Sequence, residues 1–573
     1  MNNWKSVAEQ WLAFEGMDAT LKQMLENMSE EALMEAFIQP LSFGTAGMRG
    51  ILGPGINRMN IYTVRQATKG LADFIRESGT QAMQRGVVIS YDSRHMSAEF
   101  AKEAAAVLVH NGIQTYLFDG LRPTPTLSFA VRHLQAFAGI MITASHNPAE
   151  YNGYKLYGED GGQMPPADAD KVIAYVRKVT NPLEVAFLTD QALIENPLYT
   201  MIGEKVDQAY LEHMETVQIN PAMNQKYGHD INILYTPLHG TGLDLGMKAL
   251  NQSGFTNVQI VASQAEADGA FPTVSSPNPE SQSAFDEALK VARTSHPEII
   301  LATDPDADRL GAMIRDDQGQ YQLLTGNQIA SLMLDYILRA YQERGDMPLN
   351  AVAIKSIVST DLATAIAHHY GAQMLEVLTG FKFIAEKIKE FEATHEKTFL
   401  FGFEESYGYL VKSFARDKDA IQALVVLAEL TTYHQTKGRT LYQALQDIFD
   451  QFGYFMEKTI SVTFPGVKGQ ETMMGIMQKI RQQAPQEIAN REVLTLSDYS
   501  KNTMTDAQGH ITELELPISD ALKFKLSDGS WVALRPSGTE PKLKLYIGVQ
   551  APSQEQAKET LEALEAAVTA WTR

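Results

Sequence analysis

The chain of 573 residues contains no cysteine. This absence excludes disulfide bridges, thiolate catalysis and any metal site built on cysteine sulfur. The sequence also lacks an uninterrupted apolar run of about 18 residues, so it predicts no transmembrane span. Its opening stretch, MNNWKSVAEQWLAFEGM, has no apolar segment after a basic start, so we expect no signal peptide. Together these absences favour a cytoplasmic protein.

Positive charge is scarce as well. The chain carries 48 lysines and arginines against 69 aspartates and glutamates, for a net charge of −21. A general nucleic-acid surface would need a basic footprint, so we predict no nucleic-acid partner, and the lack of a transmembrane span predicts no membrane partner. The acidity favours solubility, and it does not exclude an anionic substrate, because a local group of arginines and lysines dominates at contact distance.

Strand-like and helix-like stretches alternate along most of the chain. Residues 1–40 have a helical composition, and SAEFAKEAAAVLVHNG predicts a helix with Ser97 as its N-cap. The runs RGVVISYD, FAGIMITAS and PEIILATDPDADR are apolar without alternation, which is typical of parallel strands buried on both faces. The stretch ALKFKLSDGSWVALRPSG alternates instead and predicts an antiparallel hairpin that turns at Asp528 and Gly529.

These patterns predict an α/β fold with several domains. At roughly 100–200 residues per domain, the length allows about three to five. We expect three consecutive α/β domains with mainly parallel mixed sheets, followed by a C-terminal α+β domain. The predicted ranges are 1–204, 205–321, 322–455 and 456–573.

Three apolar strands end in the polar loops TASHNP, TDPDADR and GFEESYG. In open α/β sheets, ligands bind beyond the carboxyl ends of the strands. We therefore expect the three loops to converge on one cleft.

In TDPDADR, every second residue is an aspartate: Asp304, Asp306 and Asp308. In extended backbone such residues point the same way, and three like charges repel each other unless a cation neutralises them. Oxygen ligands of this kind suit Mg²⁺ or Ca²⁺, although the spacing is not that of an EF-hand. The alternative is a solvated acidic turn.

In TASHNP, Ser145 follows a strand as a nucleophile would, but the G-x-S-x-G pattern of hydrolases is absent. We expect the adjacent His146 to be poorly placed as a base for its own neighbour. Ser145 is then either a hydroxyl that carries phosphate beside a metal ion or a turn residue before Pro148. Lys155, further along, is either part of such a site or a surface lysine.

Two glycine-containing loops offer phosphate-binding groups, although each could also be an ordinary turn. GTAGMRG, residues 44–50, combines Arg49 with exposed backbone N–H groups. RPSGTEPK combines a guanidinium with hydroxyls and a permissive backbone, which favours a phosphate cradle. Its candidate residues are Arg535, Ser537, Gly538 and Thr539.

The loop GFEESYGY places Glu404 two residues before Ser406. A carboxylate and a hydroxyl together suit sugar hydroxyls, which both donate and accept hydrogen bonds. A glycosidase with paired carboxylates is an alternative, but it would explain neither the phosphate loops nor the three aspartates.

Taken in order, the motifs TASHNP, DPDADR, GFEESYG and RPSGTEP resemble those of the α-D-phosphohexomutase superfamily over nearly the whole chain. The Glu-Glu-Ser sugar loop resembles the phosphoglucomutase branch. The forms GTAGMRG and DPDADR resemble its subgroup with phosphopentomutase-type and glucose-1,6-bisphosphate synthase-type members. The resemblance implies a four-domain, heart-shaped enzyme with a central cleft. It also implies interconversion of glucose 1-phosphate and glucose 6-phosphate through a phosphoserine enzyme and a glucose 1,6-bisphosphate intermediate.

The same resemblance implies roles for individual residues. Ser145 would carry the phosphate and would bind Mg²⁺ together with Asp304, Asp306 and Asp308, and glucose 1,6-bisphosphate would be an activator. Residues expected beside the transferring phosphoryl group, with the two lysines as acid–base candidates, are Arg49, His146, Lys155 and Lys418. Residues expected to bind the substrate are Arg309, Thr379, Gly380, Glu404, Ser406, Arg416, Arg535, Ser537, Gly538 and Thr539.

Other functions stay open at this point. A phosphopentomutase or a glucose-1,6-bisphosphate synthase would differ only in the acceptor, which these loops do not specify. A non-catalytic sugar-phosphate sensor would need neither the serine nor the three aspartates. A metal-dependent phosphatase would have to admit water to a cleft that should exclude it. We expect a sugar phosphate as the small-molecule partner and a monomer or weak homodimer.

Overall fold

The structure is a computed structural model that describes residues 4–41, 43–44, 47–464, 468–537 and 541–572. Contacts divide the chain into two compact units. The first unit consists of Met1–Leu324, Ala385–His395 and Tyr407–Gly438, and the second of Thr325–Ile384, Glu396–Ser406 and Arg439–Arg573. Among the helices in the described ranges, none combines the length and the apolar character that crossing a membrane requires.

The first part of the chain alternates strands and helices after an all-helical start. Its elements are α1 (Trp4–Ala13), α2 (Ala19–Glu26), α3 (Glu30–Phe37), β1 (Phe43–Gly44), β2 (Gly47–Ile51), α4 (Ile61–Glu77), α5 (Thr80–Arg85), β3 (Val87–Tyr91), α6 (Ser97–His110), β4 (Thr115–Phe118), α7 (Thr124–His133), β5 (Ala138–Ile142), β6 (Tyr151–Tyr157), α8 (Pro166–Val176), α9 (Asp190–Ile194) and β7 (Tyr199–Ile202). Next come α10 (Glu204–Met214), α11 (Pro221–Tyr227), β8 (Ile233–Thr236), α12 (Gly242–Gln252), β9 (Val258–Ile260), α13 (Ala262–Ala265), α14 (Asp286–Ser295), β10 (Ile299–Thr303), β11 (Leu310–Arg315) and β12 (Tyr321–Leu323).

The remainder of the chain continues the alternation and then becomes rich in strands. Its elements are α15 (Gly326–Arg344), β13 (Ala351–Ser356), α16 (Leu362–His369), β14 (Gln373–Val377), α17 (Phe381–Thr394), β15 (Thr398–Glu404), β16 (Gly408–Leu410), α18 (Ala420–Thr436) and α19 (Leu441–Phe452). The last group is β17 (Tyr454–Thr463), α20 (Gly469–Gln482), β18 (Glu487–Ile488), β19 (Arg491–Asp498), β20 (Thr503–Asp506), β21 (Ile511–Glu513), β22 (Leu522–Leu526), β23 (Trp531–Pro536), β24 (Lys542–Ala551) and α21 (Gln554–Thr569).

Two mixed sheets form the framework of the first unit. The larger has the strand order β1-β2-β6-β5-β3-β4-β7, in which β5, β3, β4 and β7 are parallel and β6, β2 and β1 are added antiparallel. The smaller has the order β12-β11-β10-β8-β9, with a parallel centre of β10, β8 and β9. Every residue of β5 and β10 is buried, as their unbroken apolar runs predicted.

The second unit combines a parallel and an antiparallel sheet. Strands β14, β13 and β15 are parallel, whereas the C-terminal sheet is antiparallel throughout in the order β17-β24-β23-β22-β19-β20-β21. The predicted hairpin is confirmed: β22 pairs with β23, and Gly529 lies in the turn with a φ of +86°, which favours glycine. These sheets agree with the expected α/β fold class, while the four domain ranges stay a prediction.

One helix start differs from the expectation. Residues 97–110 are helical as predicted, but the residue that caps them is Met96, with a φ of 65° and no side-chain cap. Ser97 is instead the first helical residue, and its Oγ donates to Asp92 Oδ1 at 2.7 Å. The prediction of Ser97 as N-cap is wrong because a buried carboxylate takes up its hydroxyl.

Helix α18 is buried from Ala420 to His434, and a buried carboxylate caps it. Asp419 Oδ1 accepts the N–H groups of Ile421 and Gln422 at 3.0 and 3.1 Å. The hydroxyl of Tyr210 donates to the same carboxylate at 2.8 Å. Burial raises the pKa of Asp419 to about 6, because desolvation outweighs these hydrogen bonds.

We expect the substitution Asp419→Asn to remove a pH-dependent loss of stability. The raised pKa means that the folded chain favours protonated Asp419, so this contribution is complete below the ordinary pKa of 3.8 and disappears as the pH rises through about 6. Relative to wild type, the variant should gain up to about 3 kcal/mol of unfolding free energy between pH 4 and pH 8. Urea unfolding of both proteins at pH 4 and pH 8 measures the unfolding free energies. If the variant and wild type differ by the same amount at both pH values, the raised pKa of Asp419 is wrong.

Candidate functional site

Ser145 lies in a tight turn directly after β5, at the carboxyl end of a central strand. Its φ is +52°, a left-handed conformation that residues other than glycine rarely adopt. The Thr143 hydroxyl accepts the Ser145 N–H at 2.8 Å and helps to fix this backbone. The turn aims Ser145 Oγ at Asp304, to whose Oδ2 it donates at 2.7 Å.

A buried guanidinium sets the shape of the serine loop. Arg94 Nη1 donates to two carbonyls at 2.8 and 3.0 Å, and Nη2 donates to two more. The carbonyls belong to Pro148, Tyr151, Ser145 and Asn147. Asp92, 3.4 Å from Arg94 Nε, balances the charge, and both side chains are fully buried. Arg94 thus holds the loop through its backbone carbonyls and not through the serine side chain.

The three aspartates follow β10 in a turn. The extended backbone expected for them is wrong, since the chain bends at once and Ala307 has a φ of +49°. Their carboxylate oxygens nevertheless lie within 4.8 Å of one another, and all three side chains are buried. The backbone N–H groups of Asp308 and Arg309 donate to Asp304 Oδ1 at 3.2 and 3.1 Å, which closes the turn around the first carboxylate.

Two lysines partly neutralise these carboxylates. Lys155 Nζ lies 2.9 Å from Asp306 Oδ2 and 3.7 Å from Asp308 Oδ2. Lys418 Nζ lies 3.0 Å from Asp308 Oδ2 and 2.9 Å from Asp417 Oδ1. Four carboxylates therefore share two ammonium groups when all are ionised. Arg309 Nε lies 3.9 Å from Asp308 Oδ1 but is shared with Glu280, so negative charge stays in excess and favours a divalent cation.

The protonation behaviour of the aspartates reflects this crowding. Burial, followed by the charges of Asp306 and Asp308, raises the pKa of Asp304 well above its ordinary value. Burial alone would also raise the pKa of Asp306, but Lys155 and the hydroxyl of Thr124, 2.8 Å away, hold it below the usual range. Without a cation, Asp304 is therefore the carboxylate that most readily takes up a proton, and this reduces the repulsion in the cluster.

The cluster fits a metal ion on a second ground. Asp306 Oδ1 and Asp308 Oδ1 are buried and have no hydrogen-bond donor among the described residues. A buried acceptor without a partner costs about 1–3 kcal/mol, more if charged. A divalent cation that prefers oxygen ligands would satisfy both oxygens, with Asp304 and the serine oxygen completing its protein ligands.

Further candidates surround the serine loop. His146 Nδ1 lies 3.2 Å from Ser145 Oγ, within hydrogen-bond distance, while the expectation that it is poorly placed as a base for its own neighbour stays a prediction. Burial, with Arg309 and Arg49 adding to it, lowers the pKa of His146, which keeps the imidazole neutral. Arg49 donates to Asn147 in the serine loop at 2.8 Å, and Arg309 donates to Glu280 at 2.6 Å.

The second compact unit brings together part of the predicted sugar site. Glu404 ends β15, and its Oε1 accepts the N–H of Gly380 at 2.7 Å. Gly380 has a φ of +124°, which favours glycine there. The neighbouring Thr379 hydroxyl is buried without a hydrogen-bond partner among the described residues. Ser406 lies just beyond the strand and is partly exposed.

The predicted phosphate cradle is described only in part. Arg535 lies near the end of β23, opposite Lys544 of β24. The Ser537 N–H donates to the carbonyl of Lys542 at 2.7 Å. Gly538 and Thr539 lie outside the described residues.

Arg416 has a different setting from the other candidates. Its guanidinium pairs with Glu392 and donates to the Ser413 carbonyl at 3.2 Å, and the side chain is buried. Within the described part of the chain, no contact joins Arg416 to the serine or the aspartates. Its role in substrate binding stays a prediction.

Sequence reasoning missed several residues that hold the site together. They are Asp92, Arg94, Thr124, Tyr157 and Asp417. Asp92 and Arg94 stand in a polar loop after an apolar strand, the same signal that drew attention to the other loops. Asp417 lies between Arg416 and Lys418, both predicted site residues, and Tyr157 donates to it at 2.7 Å. Nothing in the sequence marks Thr124.

Four family models match most of the chain in order. They describe the three alpha/beta/alpha domains and the C-terminal domain of phosphoglucomutase/phosphomannomutase. The matched residues are 40–182, 208–319, 325–452 and 482–567.

Curated relatives match over nearly the full length. A phosphoglucomutase of Staphylococcus epidermidis is 38% identical over 549 residues, which cover 96% of each chain. A phosphoglucomutase of Staphylococcus haemolyticus is 37% identical over 554 residues, which cover 96% of this chain and 98% of the relative. Among solved structures, the parafusin phosphoglucomutase of Paramecium in its open form has a TM-score of 0.68 at 17% identity. That match covers 93% of this chain and 95% of the Paramecium chain and supports the fold alone.

We expect Asp304→Asn to stabilise the chain without a divalent cation and to reduce the stabilisation that the cation supplies. In a chelator the variant should melt higher than wild type, because one crowded carboxylate is replaced by a neutral group. The rise in melting temperature on adding Mg²⁺ should shrink, with an apparent Kd weakened roughly tenfold or more. The exposed Asp170→Asn is the control and should match wild type in both conditions. An unaltered Mg²⁺ response in Asp304→Asn would contradict the metal site.

Proposed function

The chain belongs to the phosphoglucomutase/phosphomannomutase family, and on this premise we propose that it interconverts glucose 1-phosphate and glucose 6-phosphate. Ser145 carries the phosphoryl group, and glucose 1,6-bisphosphate is the intermediate. The observation that carries the proposal is the Ser145 hydroxyl, which a strained turn places 2.7 Å from one of three clustered buried aspartates.

Mg²⁺ is the cation proposed for this cluster. The residues that would hold it are Asp304, Asp306, Asp308 and the oxygen or phosphate of Ser145. Mg²⁺ suits a site with few carboxylates, because it keeps several of its waters and binds phosphate oxygens readily. When bound, the cation neutralises charge on the oxygens of the transferring phosphoryl group.

The transfer itself exchanges one oxygen–phosphorus bond for another. A sugar hydroxyl attacks the phosphorus as the bond to Ser145 Oγ breaks, so one proton must leave the attacking hydroxyl and one must reach Oγ. Lys155 and Lys418 are the groups proposed to move these protons, since both ammonium groups lie against Asp308. Arg49 and Arg309 are proposed to hold the phosphoryl oxygens.

The two half-reactions require the bisphosphate to turn around between them. After reorientation its other phosphate faces Ser145, so the sugar and the distal phosphate need sites that accept either orientation. Residues proposed for these sites are Thr379, Gly380, Glu404, Ser406, Arg416, Arg535, Ser537, Gly538 and Thr539. Added glucose 1,6-bisphosphate activates by rephosphorylating Ser145. We propose a cytoplasmic enzyme that is a monomer or a weak homodimer.

We expect glucose 1-phosphate to be the preferred substrate. With Mg²⁺ and a trace of glucose 1,6-bisphosphate, its kcat/KM should exceed those of mannose 1-phosphate and ribose 1-phosphate at least tenfold. The Ser145→Ala variant should lose about 10³-fold or more in turnover and the phosphate seen by intact mass spectrometry. The exposed Ser78→Ala serves as the control. A higher kcat/KM on ribose 1-phosphate would overturn the hexose assignment in favour of a phosphopentomutase.

We expect Lys155→Met and Lys418→Met each to lower kcat by about 10²–10⁴-fold, the usual worth of a positioned proton donor or acceptor. The exposed Lys171→Met carries the same charge change and should keep normal turnover. Steady-state assays on glucose 1-phosphate measure the effect. Full turnover in both site variants would exclude lysine acid–base catalysis.

A further inference from the structure

Glu405 stands between the two predicted sugar ligands but is turned towards the protein. Its Oε2 accepts the hydroxyls of Ser356 and Ser359 at 2.9 and 3.4 Å. The two hydroxyls are 2.8 Å apart, and both serines are fully buried. Glu405 thereby fixes the sugar loop, residues 402–406, to the segment that begins with the last residue of β13. This segment, residues 356–361, is called the β13 loop below.

A fully buried lysine supports the β13 loop from inside the unit. Lys355 Nζ donates to the Thr360 carbonyl at 3.0 Å and to the Asp361 carboxylate. Glu376 on β14 lies 3.3 Å from the same ammonium. A buried ammonium is costly unless it is paired and hydrogen-bonded, so this charge cluster strongly favours one conformation of the loop.

The C-terminal sheet reaches the same loop through a second buried lysine. Lys523 of β22 donates to the Ile357 carbonyl at 2.6 Å, and its Nζ lies 3.7 Å from Glu376 Oε1. The ammonium also lies 4.9 Å from the ring centre of Trp531. Lys523 pairs with Ala533 on the neighbouring β23, the strand that carries Arg535.

We propose that Glu405 and Lys523 are positioning residues at the two ends of one buried polar network. The network holds the sugar loop in a fixed relation to the strand of Arg535, through Ser356 and Ser359 of the β13 loop and through Lys355. The inference rests on the proposed function only in one respect: that the sugar loop binds the sugar and that the strand of Arg535 serves the distal phosphate. The elements that bind the sugar hydroxyls and the distal phosphate then keep a fixed position relative to each other. This suits a bisphosphate that must be accepted in two orientations.

Steady-state kinetics with matched variants test the coupling. Glu405→Met and Lys523→Met should each raise KM for glucose 1-phosphate about tenfold while kcat changes less than about threefold, because chemistry at Ser145 is untouched. Glu405→Gln keeps an acceptor for the serines and should largely restore KM. Lys525→Met, an exposed lysine on the same strand, should match wild type. If the two substitutions acted independently, the double variant Glu405→Met/Lys523→Met would raise KM roughly hundredfold. Because both act on one network, we expect a far smaller increase in KM.

Hydrogen–deuterium exchange supplies a readout that needs no activity. Peptides of the β13 loop and of the sugar loop should exchange faster in Lys523→Met and Glu405→Met than in wild type or Lys525→Met. Unchanged exchange in both peptides, or multiplicative KM effects in the double variant, would overturn the inference. If wild type interconverts none of the three sugar phosphates but the exchange pattern holds, the proposed function fails and the network stands.

Discussion

Repulsion among three buried aspartates is the constraint on which the candidate site depends. Carboxylates held this close in a buried turn destabilise the fold unless positive charge balances them. Lys155 and Lys418 supply part of that balance, but Lys418 is shared with Asp417, so negative charge stays in excess and favours a divalent cation. The serine hydroxyl lies at the edge of this unbalanced group. If Ser145 carries a phosphate, as proposed, that phosphate would lie beside the cation as well as the aspartates.

Two left-handed residues bring the groups together. Ser145 and Ala307 both have positive φ angles, in turns that follow the central strands β5 and β10. Such conformations cost about 1–3 kcal/mol each and persist only where the surroundings enforce them. At the serine the enforcement comes from Arg94, and at the aspartates from backbone N–H groups that donate to Asp304. Each turn fixes the position of a side-chain oxygen directly after the end of a strand.

The sequence predicted the larger features well, because they follow from patterns that survive without knowledge of contacts. Unbroken apolar runs marked β5 and β10, and alternation with an Asp-Gly pair marked the β22–β23 hairpin. Motif order marked the serine and the aspartates. The backbone conformation could not be predicted. Nothing in DPDADR indicates a bend at Ala307, and the local sequence favours Ser97 over Met96 as the N-cap. Long-range partners such as Thr124, which meets Asp306 from far along the chain, leave no local trace.

The grip of Arg94 on the serine loop has a consequence for repeated turnover. The guanidinium binds the carbonyl oxygen of Ser145 and three carbonyls that follow it in the loop, and none of these bonds involves the side-chain oxygen. A phosphoryl group on Oγ, as proposed for Ser145, would leave these hydrogen bonds to the backbone in place. The loop backbone would then keep one conformation whether or not Ser145 carries a phosphoryl group. Energy that a pliable loop would spend on reorganisation in every cycle stays available for binding the sugar.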